Sequence, residues 1–277
     1  MFSPYNVIVL LFIFISNAFS AKVLFLCPVP TQSHQKVYQQ VWTALSLRGH
    51  QVYAVTPNPV FNKSLTNLTE YDISEVYTIK DQITDPSFIE LFFSKPGFFG
   101  MIFRQFGYKI ISERLSQVYE LPGVKKLFSE HDRFDICVNE WIFPSTAVYG
   151  YYFKCHVIGI SSVGLQIPMM DTIGNPSHPI IAPDLDLPLP KEVKGFLDRA
   201  WSAFWTVYVR IFHRYVILPS LHKINIEFFG KDIPYLGDIL NNVSLLIVNR
   251  NMAFHRPFPN LPTVIETAGL TYSNHRS

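Results

Sequence analysis

Lys22-Val-Leu-Phe-Leu-Cys-Pro-Val-Pro-Thr-Gln-Ser-His34, continued through Val37 and Trp42 to Arg48-Gly-His-Gln51, is the stretch whose reading decides the fold. An apolar run from Val23 to Cys27 is broken by Pro28 and Pro30. A segment of helical period follows, with Val37, Val41, Ala44, Leu45 and Arg48 on one stripe. Ser33 has the chemistry of a helix N-cap, Gly49 stands where a glycine closes a helix, and Gln51 to Thr56 is a second apolar run. The unit therefore reads strand, helix, strand, a right-handed parallel crossover. Such units belong to α/β folds with a doubly wound, mostly parallel sheet, which bind ligands at the carboxyl ends of the strands. His34 is placed at that edge, on the first turn of the first helix.

His34 reads either as a solvated first-turn histidine or as a general base, because the positive end of a helix keeps imidazole neutral and able to accept a proton. A phosphate cradle is the weaker reading, since Cys27 to Ser33 contains no glycine and matches neither a dinucleotide fingerprint nor a P-loop. The strand predicted over Phe134 to Val138 places Glu140 on the same edge, where a carboxylate can orient an imidazole and stabilise its protonated form. An exposed strand-end carboxylate is the bland alternative.

Three groups of residues resemble the amino-terminal half of the UDP-glycosyltransferase family, the insect membrane-bound enzymes in particular. They are Ser33-His-Gln35 with Leu45-Ser-Leu-Arg-Gly-His-Gln-Val52; Arg133-Phe-Asp-Ile-Cys-Val-Asn-Glu-Trp-Ile-Phe-Pro144; and Val243-Ser-Leu-Leu-Ile-Val-Asn249 with Val264-Ile-Glu-Thr-Ala-Gly-Leu270. The resemblance implies a Rossmann-like sheet, the amino-terminal domain of a GT-B glycosyltransferase. It also implies an inverting reaction in which His34 deprotonates an acceptor hydroxyl, Glu140 holds His34, and a UDP-sugar serves as co-substrate. The family usually has aspartate where this chain has Glu140. No resident cofactor and no metal are implied.

Between Ile79 and Phe128 the chain turns aromatic, around Leu91-Phe-Phe-Ser-Lys-Pro-Gly-Phe-Phe-Gly-Met-Ile-Phe103. The interrupting Pro96, Gly97, Gly100 and Gly107 predict short helices over a cavity rather than one long helix. Core packing and adsorption to a membrane surface are alternatives to ligand contact. The resemblance implies a wall for a small lipophilic acceptor, and the acceptor-binding residues expected from it and from the strand edge are Ser33, Phe98, Phe99, Phe103, Trp141 and Ser161.

Of the 277 residues, Val7 to Ile15 and the small residues up to Ser20 read as a cleaved secretory signal over residues 1–20. Residues 21–270 then form one α/β domain. The net charge of +2, mixed along the chain, argues against a nucleic-acid partner. Cys27, Cys137 and Cys155 show no metal spacing and are expected to be core-type thiols. Sequons at Asn62, Asn67 and Asn242 are candidate glycan acceptors in the secretory pathway, with the endoplasmic reticulum lumen the expected location. Pro168 to Pro190, with six prolines, reads as a loop, and Glu192 to Phe229 as a helix kinked at Pro219.

Residues 271–277 are expected to begin a linker, with the donor-binding domain and membrane helix of the resembled enzymes absent. Two functions follow. The chain is the acceptor-binding half of a UDP-glycosyltransferase that transfers a hexose, inactive in isolation because UDP-sugar needs the missing domain. Alternatively it is a non-catalytic module that holds lipophiles or pairs with full-length relatives.

Overall fold

The computed structural model describes residues 20–78, 98–187, 195–251 and 258–267, the side chains of Phe98 and Phe99 excepted. In chain order the first elements are β1 (Lys22–Leu26), α1 (Gln32–Leu47), β2 (Gln51–Thr56), β3 (Leu68–Asp72), α2 (Phe98–Leu115) and α3 (Pro122–Glu130). Then come β4 (Ile136–Glu140), α4 (Val148–Tyr152), β5 (His156–Ser161), α5 (Ile167–Asp171), α6 (Phe196–Phe212), α7 (Leu218–Phe229), α8 (Leu236–Leu240), β6 (Val243–Val248) and β7 (Val264–Glu266). The signal segment up to residue 19, the aromatic run before residue 98 and the expected linker lie outside the described residues.

All seven strands are parallel, in the order β3-β2-β1-β4-β5-β6-β7. The expected doubly wound α/β sheet is therefore what forms. Its central strands β1 and β4 are buried on both faces because both faces are covered. Along β1, Val23 and Phe25 join one cluster with Val37, Tyr38 and Trp42 of α1, while Leu24 and Leu26 join the other, larger cluster. Trp42 packs edge-on against Phe25 at 5.7 Å and both are fully buried. Chain order moves outward from β1 to β3, then returns to β4 on the other side of β1. This reversal opens a crevice at the carboxyl ends of β1 and β4.

Several local expectations need correction. The N-cap of α1 is Thr31, extended at φ −143° and ψ 131°, so Ser33 lies inside the first turn and is exposed. The buried stripe of α1 is Gln35, Val37, Tyr38, Trp42 and Ser46. Ala44 and Arg48 are exposed, because Tyr38 and Trp42 set which face meets the sheet. Gly49, at φ +91°, does close the helix.

α2 is one helix of 18 residues despite Gly100 and Gly107. Each interior glycine costs about 1 kcal/mol relative to alanine, offset here by one buried face of Met101, Gln105, Ser112 and Leu115. Within the Pro168–Pro190 loop the chain forms α5, whose Pro168 occupies an N-terminal position that needs no donor. The break near Pro219 is a π turn over His213–Ile217. It lies where a regular helix would bring the proline ring against the Tyr215 carbonyl.

The cysteines are not three free thiols. Parallel pairing of β4 with β5 brings Cys137 to Cys155, and they form a disulfide with Cα atoms 5.7 Å apart, while Cys27 stays free and buried. The bridge closes a loop with a sequence separation of 18 residues. In the chain-entropy account such a loop contributes about 3 kcal/mol. Urea unfolding with and without reductant should show a loss of that order, and an unchanged midpoint would contradict it.

Candidate active site

The β1–α1 loop is short of donors by sequence, since Pro28 and Pro30 carry no N–H. The remaining amides are all accounted for. Cys27 N donates to Val55 O at 3.1 Å, Thr31 N to Val29 O at 2.8 Å, and Val29 N to Glu140 Oε2 at 3.4 Å. Gln35 closes the loop from inside the helix. Its Nε2 donates to Cys27 O at 2.9 Å and Val29 O at 2.8 Å, and its Oε1 accepts from Thr56 Oγ1 at 2.7 Å. A loop without glycine is thereby held by one fully buried amide.

Glu140 is the last residue of β4 and has no exposed side-chain surface. Its Oε1 lies 2.7 Å from Nδ1 of His34, whose side chain is 22% exposed. Ser162, one residue past β5, brings its Oγ to 2.8 Å from the same nitrogen. No described residue hydrogen-bonds Nε2 of His34, the ring atom left for an incoming group. Two buried neighbours feel the site. The Cys27 thiol and the Tyr38 phenol are both pushed well above their usual ranges, by burial first and by the Glu140 charge second.

The structure thus brings together His34 and Glu140 across the crevice between β1 and β4. Neither the simply solvated histidine nor the exposed strand-end carboxylate describes this pair. Ser33 is exposed on the same first turn. Trp141 and Ser161, expected as acceptor contacts, are both buried. Trp141 donates from Nε1 to Thr172 Oγ1 at 3.2 Å, and Ser161 Oγ donates to Val163 O at 2.6 Å. The Trp141 ring lies over Gly159 of β5, where an added Cβ would come within 2.7 Å of it. Ser162 was missed because the strand ends at Ser161. The residue beyond a strand leaves its alternation, and no local pattern marks it.

Phe103 is 57% exposed on α2, and the side chains of Phe98 and Phe99 lie outside the described residues. A recess of about 220 Å³ beside the first turns of α1 is lined by Gln32, Lys36, Gln39 and Asn58. A cavity of about 340 Å³ between α5, α6 and α8 includes neither His34 nor Glu140. Among the described residues, no group of three or more His, Cys, Asp or Glu side chains could hold a metal ion.

The aromatic helix α2 is tied to the segment after β5 by the half-buried Asp186, which stands beside a buried acid, Asp184. Asp186 accepts from Gln105 Nε2 at 3.5 Å, from Tyr108 Oη at 3.2 Å and from Gln166 Nε2. Asp184 accepts from the Ile167 amide at 2.8 Å and from Trp205 Nε1 at 3.3 Å. Burial, then the charge of Asp184, pushes the Asp186 carboxyl from 3.8 up to about 7, while Arg104 opposes the rise. The folded chain therefore holds a proton that the unfolded chain has released between about pH 4 and 7. Its stability must fall as pH rises through that window. Urea midpoints should drop less between pH 5 and pH 8 in Asp186→Asn than in the parent chain. Equal slopes would contradict the assignment.

The chain is similar to known proteins along most of its length. UDP-glycosyltransferase UGT5 of Dactylopius coccus is 26% identical over 262 residues, covering 93% of this chain and 48% of that protein. The ecdysteroid UDP-glucosyltransferase of Spodoptera littoralis nuclear polyhedrosis virus is 25% identical over 260 residues, covering 88% and 49%. The chain spans about half the length of the curated relatives it matches. No family model matches it. The crystal structure of LpCGTa in complex with UDP aligns with 93% of this chain and 56% of that chain at 15% identity, with a TM-score of 0.38, too loose to support an argument about the site. The curated relatives are UDP-glycosyltransferases, as the resemblance in the sequence implies, and their similarity runs along most of the chain.

Proposed function

We infer that this chain, a homologue of UDP-glycosyltransferases, supplies the acceptor side and the general base of hexosyl transfer from a UDP-sugar to a hydroxyl of a small lipophilic molecule. The observation that carries the reading is the His34–Glu140 pair: Nδ1 is committed to a buried carboxylate at 2.7 Å and Nε2 is left at the crevice. With the Nδ1 proton directed at Glu140, Nε2 carries the lone pair and can take the acceptor's proton. The oxyanion then attacks the anomeric carbon as the bond to UDP breaks. Glu140 compensates the imidazolium that forms without itself taking the proton, the third-group logic of triad chemistry.

A lipophilic acceptor is supported by the exposed Phe103, Phe106 and Ile110 on α2 and by the ecdysteroid relative. We propose that UDP-sugar is held largely by residues outside this span, in keeping with the share of the relatives that the chain covers. Passage through the secretory pathway is supported by the Cys137–Cys155 disulfide, a bond that belongs to oxidising compartments, and by the exposure of Asn62, Asn67 and Asn242. The Asn62 side chain already accepts from Ser64 N at 3.0 Å and Ser64 Oγ at 2.8 Å. Among the described residues, no helix is long and apolar enough to cross a membrane.

The test is made in a form of the protein that includes a donor-binding part, assayed with UDP-glucose and a panel of phenolic and steroid acceptors. His34→Ala should lower turnover by about two to four orders of magnitude with UDP binding intact; unchanged turnover would remove His34 from the mechanism. Glu140→Gln should cripple transfer while Glu140→Asp keeps appreciable activity, because only the second retains the charge. Equal, mild effects would separate the carboxylate from the base. The 277-residue chain by itself should bind acceptors in calorimetry without turnover.

A further inference from the structure

We propose that Ser162 is a positioning residue of the His34–Glu140 pair: its hydroxyl accepts from Nδ1–H beside the carboxylate and, backed by Tyr38, fixes the plane of the imidazole. Its use in catalysis rests on the reading of His34 as the base. The placement itself does not.

Two oxygens lie against one ring nitrogen, Glu140 Oε1 at 2.7 Å and Ser162 Oγ at 2.8 Å. An ionised carboxylate has only lone pairs to offer, so at that distance Nδ1 must carry the proton. The Ser162 oxygen can then only accept from Nδ1–H, and its own proton must go elsewhere. Tyr38 supplies the outlet. Its phenol is fully buried, donates to Ile160 O at 3.3 Å, and lies close enough to Glu140 and Ser162 for both to influence it. Glu140 and Ser162 thus meet at Nδ1 of His34, with the Tyr38 phenol beside them.

The second contact on Nδ1 matters because Glu140 has one more rotor than an aspartate, and its second oxygen is held by a long contact, 3.4 Å from Val29 N. The Ser162 hydroxyl beside the carboxylate–imidazole contact limits the arrangements the longer side chain can adopt. Ser162 itself is placed by main-chain contacts that do not involve its hydroxyl. Asn249 Nδ2 donates to Ser162 O at 2.9 Å, and Asn249 N donates to Ser161 O at 3.0 Å. Removing the hydroxyl therefore leaves the chain path intact.

The experiment uses the 277-residue chain with 15N-labelled histidine, the His34 signals being assigned by their loss in His34→Gln. Two-bond correlation spectra report the tautomer, and the Nδ1 proton reports its exchange with water. The parent chain should show Nδ1–H with a slowly exchanging proton. Ser162→Ala should speed that exchange roughly tenfold, the effect of losing one hydrogen bond in a charged network, while the tautomer that Glu140 sets is kept. Ser162→Thr, which keeps the hydroxyl, should restore the parent behaviour, and Tyr38→Phe should shift the exchange in the same direction by less. A folded Ser162→Ala with parent exchange overturns the proposal. Should Ser162→Ala not fold, Tyr38→Phe decides, and parent behaviour there overturns it equally. None of these readouts needs turnover, so they are independent of the fate of His34→Ala in a transfer assay.

Discussion

A carboxylate with no exposed surface at the end of a strand is the constraint around which this structure is arranged. Leaving the Glu140 charge buried and unpaired would cost several kcal/mol, and its burial is tolerable only because an imidazole and a main-chain amide reach it. Both partners come from the segment that follows β1. The β1–α1 loop has to pass over the end of β4 so that Val29 N points at one carboxylate oxygen. The first turn of α1 has to begin early enough to place His34 at the other. Gln35 holds that path from within the helix, which is why a loop with two prolines and no glycine has a single conformation to adopt.

The topology makes the meeting possible. β1 and β4 are neighbours in the sheet but lie more than a hundred residues apart in the chain, and the reversal of strand order between them leaves their carboxyl ends uncovered by a crossover helix. His34 leaves β1 in one direction, Glu140 ends β4, and Ser162 follows β5, the next strand along. Residues of three elements, α1, β4 and the loop after β5, thus meet at one ring nitrogen. The packing below is apolar on both faces of the sheet, so the ends of the strands are held firmly.

Much of this was legible in the sequence. The run from Val23, the helical period and Gly49 give the first crossover, and the apolar strand before Glu140 puts its carboxylate on the same edge as His34. What escaped reading depends on contacts between distant residues. Trp141 looks like an edge aromatic until Gly159 on the neighbouring strand is seen to make room for its ring. The disulfide needs the β4–β5 pairing before Cys137 and Cys155 are neighbours at all. Ser161 and Ser162 are identical in sequence terms, and only the point at which β5 ends decides which of them meets His34. Helix α2 runs through two glycines because burial along one face outweighs their propensity, a tertiary effect that a local rule cannot weigh.

The central claim is that the His34–Glu140 pair removes a proton from the acceptor. Its most direct test is the pH dependence of kcat/KM for transfer to a hydroxyl acceptor, compared between the parent enzyme and the residual activity of His34→Gln. The account predicts that an acid limb present in the parent profile is missing from the variant. The same acid limb in both proteins would show that another group is the base.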